Sequence, residues 1–142
     1  MKSFVLFIAL LCAVTLGSSL TSPVINAASA AKKERAMTTF NDPVKLMGIT
    51  LKGDYLFVHD DEAMARGESC TFVYKGEAET PRKLVVSFHC IPIVRDKVAY
   101  FTTRSVMAEG EQELKEYQFA GSTEAHMVPW HRHAEHFTIA TP

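Results

Sequence analysis

Between Ser69 and Pro92 two apolar segments, Cys70 to Tyr74 and Lys83 to Cys90, flank a polar loop from Lys75 to Arg82, and each segment carries a cysteine at its outer end. Apolar, β-favouring segments separated by a short polar loop fold as a β-hairpin. If Cys70 faces Cys90, then Phe72 faces Phe88 and Tyr74 faces Val86. Side chains alternate faces along a strand, so this register puts both cysteines and all four bulky residues on one side. The expectation is a disulfide between Cys70 and Cys90 that staples the hairpin.

The cysteine arithmetic depends on what precedes the domain. Met1, Lys2 and Ser3 form a short basic start, Phe4 to Leu16 is an apolar run of thirteen broken only by Thr15, and Ala28-Ser29-Ala30 presents the small residues that a signal peptidase reads. Residues 1–30 therefore read as a secretory signal peptide. The apolar run is shorter than the ~20 residues that span a bilayer. Leu10 and Leu11 precede Cys12 where a lipoprotein signal would have small residues, so a lipid anchor is not expected. Export would remove Cys12 and leave Cys70 and Cys90 in an oxidising compartment, where two cysteines have one intramolecular pairing. Closing that loop is worth about 3 kcal/mol on the chain-entropy account. The alternatives are two buried free thiols or a thiolate metal site, the latter needing further ligands close by.

With 47% hydrophobic and 22% charged residues over its 142 residues, the chain has the profile of one ordinary globular domain. Loss of Lys2 with the signal takes the net charge from -1 to -2. That near-neutral balance argues against nucleic acid or an anionic membrane as the main partner. Six histidines would reverse the sign in mild acid, near the imidazole pKa of ~6.5.

Along the chain, residues 31–35 read as a charged, flexible leader. Ala36 to Phe40 is a strand, Asn41-Asp42-Pro43 a turn, Val44 to Leu51 a strand interrupted by Gly48, and Lys52-Gly53-Asp54 a second turn. Tyr55 to His59 is apolar on both faces, as central strands are. Asp60 or Asp61 caps a helical turn near 61–66, with Glu62 and Arg66 at i, i+4 and Gly67 at its end. After the hairpin, pairing ends or bulges at Pro92. Val98 to Val106, Leu114 to Ala120 and Glu124 to Val128 are further strands, with an acidic linker from Glu109 to Glu113. The fold class is all-β and mainly antiparallel, a small sandwich or barrel of about seven or eight short strands over residues 36–129, followed by a histidine-containing tail, 130–142.

Thr39-Phe40-Asn41-Asp42-Pro43-Val44, Gly48, Leu51, Gly53-Asp54-Tyr55-Leu56-Phe57, Ile91-Pro92, Arg95 and Tyr117-Gln118-Phe119-Ala120-Gly121 together resemble a family of small exported bacterial β-rich proteins of unknown function. Their pattern is roughly Thr-Phe-x-x-Pro-Val, a Gly, Leu-Pro-Ala-Gly-Thr-Tyr with a Phe strand, then an Ile-Pro strand end. The present chain departs at Leu51-Lys52-Gly53-Asp54-Tyr55, one residue shorter and without the Pro. The resemblance implies a small secreted β domain and carries over no catalytic residue.

The strongest chemical lead is the histidine-rich end. His126, Met127, His131, His133, Glu135 and His136 place four imidazoles, a thioether and a carboxylate close together, and imidazole binds Zn, Cu and Ni. The spacing matches no His-Glu-x-x-His or Cys-x-x-Cys site, so the competing reading is a solvated tail. His59-Asp60-Asp61 is a second candidate, since a carboxylate beside an imidazole fixes its tautomer for base chemistry or completes a metal shell. The plainer account has His59 end a strand and an Asp cap the helix. His89 and Cys90 are strand neighbours on opposite faces, which argues against a Cys/His nucleophile pair. No His and Met follow Cys90 at blue-copper spacing, and no phosphate loop or Gly-x-Ser-x-Gly elbow occurs. The resulting expectation is a non-enzymatic, cofactor-free exported domain, periplasmic or extracellular, that binds an unidentified ligand or envelope protein without membrane insertion. The alternative is a metal-binding module built on His126, His131, His133 and His136.

Overall fold

The computed structural model describes residues 31–129 and 138–139. The signal segment and the tail histidines His131, His133 and His136 lie outside the described residues. The described strands are β1 (Lys33–Leu46), β2 (Ile49–Asp60), β3 (Thr71–Lys75), β4 (Leu84–Phe88), β5 (Ile91–Val94), β6 (Thr102–Ala108), β7 (Glu111–Gln118), β8 (Glu124–Met127) and β9 (Thr138–Ile139), with one helical turn, α1 (Asp61–Ala65). They form one curled, half-barrel sheet in the order β5-β8-β7-β1-β2-β3-β4-β9, with β6 pairing β7. The all-β, mainly antiparallel expectation holds, with isolated parallel pairings at Lys45–Glu113 and Tyr55–Gly76. None of the described helices is long and apolar enough to cross a membrane.

β1 and β2 make one long hairpin, which corrects three expectations. Asn41–Pro43 is a bulge within β1, where the register with β2 shifts between Phe40 and Val44. Pro43 has no N–H to give the ladder, and a bulge absorbs it without ending the strand. The reversal comes instead at Met47 and Gly48, with φ of 51° and 82°. Two successive positive φ values match the twist of a tight hairpin. Lys52-Gly53-Asp54 is not a turn; β2 passes straight through it. The leader reading fails from Lys33 onward, because Lys33, Glu34 and Arg35 pair with Asp60, His59 and Val58. Lys33 and Arg35 also hold Glu79 at 2.5 and 2.8 Å.

The Cys70–Cys90 hairpin forms, one residue out of the expected register. Thr71 faces Phe88, Phe72 faces Ser87 and Val73 faces Val86. Val73, Val86 and Phe88 therefore point into the main core with Phe57, Leu46, Leu51 and Tyr117, while Phe72, Tyr74 and Leu84 join Leu56 and Val58 in a second cluster. A one-residue slip exchanges faces, and it is penalised only where one face is polar. Here both faces are apolar, so hydrophobicity alone does not select the register. Thr71 supplies the missing constraint: its hydroxyl sits in the core, 2.5 Å from the Tyr117 Oη.

The far side of the sheet is held by polar stitching. Gln118 Nε2 donates to the carbonyls of Asp96 and Ser122 at 2.8 and 2.9 Å, and the Arg95 N–H donates to the Thr123 carbonyl at 2.8 Å. Arg95 and Arg104 both grip the buried Glu116 carboxylate. These bonds fix the chain reversal after β7, so that β8 returns with His126 directly beside Tyr117.

Candidate metal centre

His59, next to last in β2, is buried opposite Thr71. Cys70 immediately precedes β3, and Cys90 lies in the short connection from β4 to β5. β4 and β5 stand near opposite ends of the sheet order, so Cys90 sits where the chain crosses the open side of the half-barrel. His126 comes from β8, which β7 and β1 separate from β2 in the sheet. Curling of the sheet brings His59, Cys90 and His126 together in the interior, with Cys70 beside Cys90. His59, Cys70 and His126 are at most 1% exposed and Cys90 is 8% exposed.

The ligating atoms of His59, Cys90 and His126 lie within 4.8 Å of one another. Cys90 Sγ is 3.4 Å from His126 Nδ1 and 3.0 Å from Cys70 Sγ. The Cys90 N–H donates to Cys70 Sγ at 3.2 Å. The two imidazole rings are 4.2 Å apart, and Tyr117 stacks on His126 at 4.9 Å. His59 Nδ1 lies 3.3 Å from the Asp61 carboxylate. Among the described residues, Nε2 of both histidines has no hydrogen-bond partner. The nearest recorded carboxylate, Glu124 Oε1, stands 3.9 Å from His126 Nε2, beyond hydrogen-bond range. An unsatisfied buried polar atom costs about 1–3 kcal/mol, so two on adjoining rings require an explanation.

The expected disulfide is not formed. An Sγ–Sγ distance of 3.0 Å exceeds the ~2.05 Å of the bond, and both cysteines are free thiols. Both lie just beyond the strand ends, where neighbouring imidazoles and a backbone N–H satisfy the sulfurs instead. Of the four histidines of the tail-based site, His126 belongs to the core, and the other three lie outside the described residues. Met127 alternates to the opposite face, opposite Glu116. The His59-Asp60-Asp61 candidate splits. Asp61 reaches His59, whereas the Asp60 Oδ1 accepts from the Ala63 N–H at 3.1 Å and caps α1.

The electrostatics favour a thiolate. Hydrogen bonding from Cys90, against the opposing effect of burial and with support from His59, holds the Cys70 thiol well below the usual thiol range. The same bond and burial push Cys90 up. For His59 burial works against the charge, but the Cys70 sulfur and Asp61 outweigh it and its pKa is raised. Burial and the neighbouring His59 push His126 down to about 4, leaving a neutral imidazole with a free lone pair. Burial, then Cys90, raises Tyr117 well above its ordinary value, so the phenol stays protonated. Compared with known family patterns, curated proteins and solved structures, the chain matches none of them.

Proposed function

We propose that this protein is an exported, non-enzymatic β domain that binds one transition-metal ion through His59, Cys70, Cys90 and His126. The observation that carries the reading is the buried convergence of His59, Cys90 and His126, whose ligating atoms lie within 4.8 Å of one another, with the free Cys70 thiol 3.0 Å from Cys90 Sγ. Two thiolates and two neutral imidazoles are the donor set of tetrahedral Zn2+, and soft sulfur also suits Cu+. Asp61 on His59 Nδ1 supplies the carboxylate that typically orients a ligating histidine through its other nitrogen. His59 then ligates through Nε2. Four protein donors close the coordination sphere, which supports a structural, storage or transfer role over catalysis, since a catalytic site keeps a position open.

The test is titration of the reduced full-length protein with Co2+ and Zn2+, comparing His126→Ala and Cys90→Ser with a His131→Ala/His133→Ala/His136→Ala variant. Stoichiometric uptake, with a thiolate-to-cobalt charge-transfer band, should vanish in the first two and persist in the third. The reverse pattern would place binding in the tail and sink the reading.

A further inference from the structure

We infer that the centre is redox-gated: the Cys70 and Cys90 sulfurs that hold the metal also form an intramolecular disulfide, and its formation expels the ion. The inference rests on the metal reading above and adds a second state to the same two sulfurs.

Geometry carries it. Two sulfurs bound to one tetrahedral ion through ~2.3 Å bonds stand about 3.7 Å apart, and in a disulfide about 2.05 Å apart. The observed 3.0 Å lies between these values. Either state is reached by a movement of about 1 Å or less, within side-chain rotation. The ladder beneath, Thr71–Phe88 through Val73–Val86, stays unchanged. The local contacts favour neither state alone, since Cys70 Sγ already accepts the Cys90 N–H and Cys90 Sγ touches His126. Once the sulfurs are bonded to each other neither is a thiolate, and His59 and His126 alone form too poor a site to retain the ion.

The oxidant is a small-molecule disulfide, RSSR. One cysteine thiolate attacks a sulfur of RSSR, forming a mixed disulfide and releasing RS−. The second cysteine sulfur then attacks the first, breaking the mixed disulfide and releasing the second RS−. The pair of metal-bound thiolates loses two electrons, RSSR gains them and departs as two RS− groups that take their protons from solvent, and the divalent ion leaves as its two anionic ligands are lost. Cys90, at 8% exposed against 0% for Cys70, is the less deeply buried of the two sulfurs and so the one RSSR meets first.

The experiment loads the reduced full-length protein with one equivalent of Zn2+, removes unbound ion, and adds glutathione disulfide under exclusion of air. A chromogenic chelator follows zinc while intact mass follows the loss of two hydrogens. Zinc release should track disulfide formation one to one, and dithiothreitol should restore uptake. A protein that carries the Cys70–Cys90 disulfide and still holds its zinc overturns the gating, as does one that loses zinc without forming that disulfide. Failure of the reduced protein to take zinc at all, seen before oxidant is added, overturns the metal reading and the gating with it.

Discussion

The imidazole rings of His59 and His126 lie 4.2 Å apart although two strands separate their own strands in the sheet. Two buried titratable rings in contact are costly unless something satisfies them, and a metal ion held among His59, Cys90 and His126 would give one nitrogen of each ring a partner. The tetrahedral account of the centre makes predictions beyond the two experiments already described.

Asp61 touches the centre only through His59 Nδ1. Replacing Asp61 with Asn removes the charge that orients and polarises the ligand but leaves all four donors. Zinc affinity, measured by competition with a chelator, should fall about 10–100-fold. The fold, monitored by circular dichroism, should be unchanged because Asp60, not Asp61, caps α1. An affinity unchanged in Asp61→Asn would mean that His59 is not a ligand.

Tyr117 and Thr71 form a buried hydroxyl pair at 2.5 Å. Tyr117→Phe leaves the Thr71 hydroxyl without that partner inside the core. Urea denaturation should show a loss of about 1–3 kcal/mol, the usual cost of stranding a buried polar group. Thr71→Val with Tyr117→Phe should recover part of it, because removing both polar partners is nearly neutral.

Much of the fold is legible along the chain. The two-faced apolarity of Tyr55 to His59 marks a central strand, and Asp60 with Gly67 brackets α1. The strand expected over Leu114 to Ala120 is present as β7 but starts at Glu111, inside the stretch expected as an acidic linker, and ends at Gln118. Pairing does not end at Pro92, which faces His126 within β5. The hairpin register was not legible, because Phe72 and Val73 are both apolar and both faces of the sheet are covered. The centre was visible only in pieces. His59, Cys70, Cys90 and His126 each stand out, but periodicity describes one strand at a time. Contact between β2 and β8 depends on the curl of the whole sheet. Sequence proximity grouped His126 with the tail histidines, whereas strand pairing groups it with Tyr117.

Glu116 gives the fold a pH dependence separate from the centre. Hydrogen bonds from Arg95, and the charge of Arg104, hold its carboxyl below the ordinary value of 4.5 despite burial. A lowered folded pKa contributes stability that is fully present above the unfolded value and lost as pH falls through the folded one. The urea midpoint should therefore hold down to about pH 4.5 and decline below it. Glu116→Gln should flatten that acid limb while lowering stability at neutral pH. An acid limb of equal slope in the variant would show that other carboxylates set it.

X-ray absorption at the zinc edge of the loaded, reduced protein tests the central claim most directly. The proposed centre predicts two sulfur ligands near 2.3 Å and two imidazole nitrogens near 2.0–2.1 Å, with both sulfur contributions absent in Cys70→Ser/Cys90→Ser. A shell of nitrogen and oxygen alone in the unsubstituted protein would contradict it.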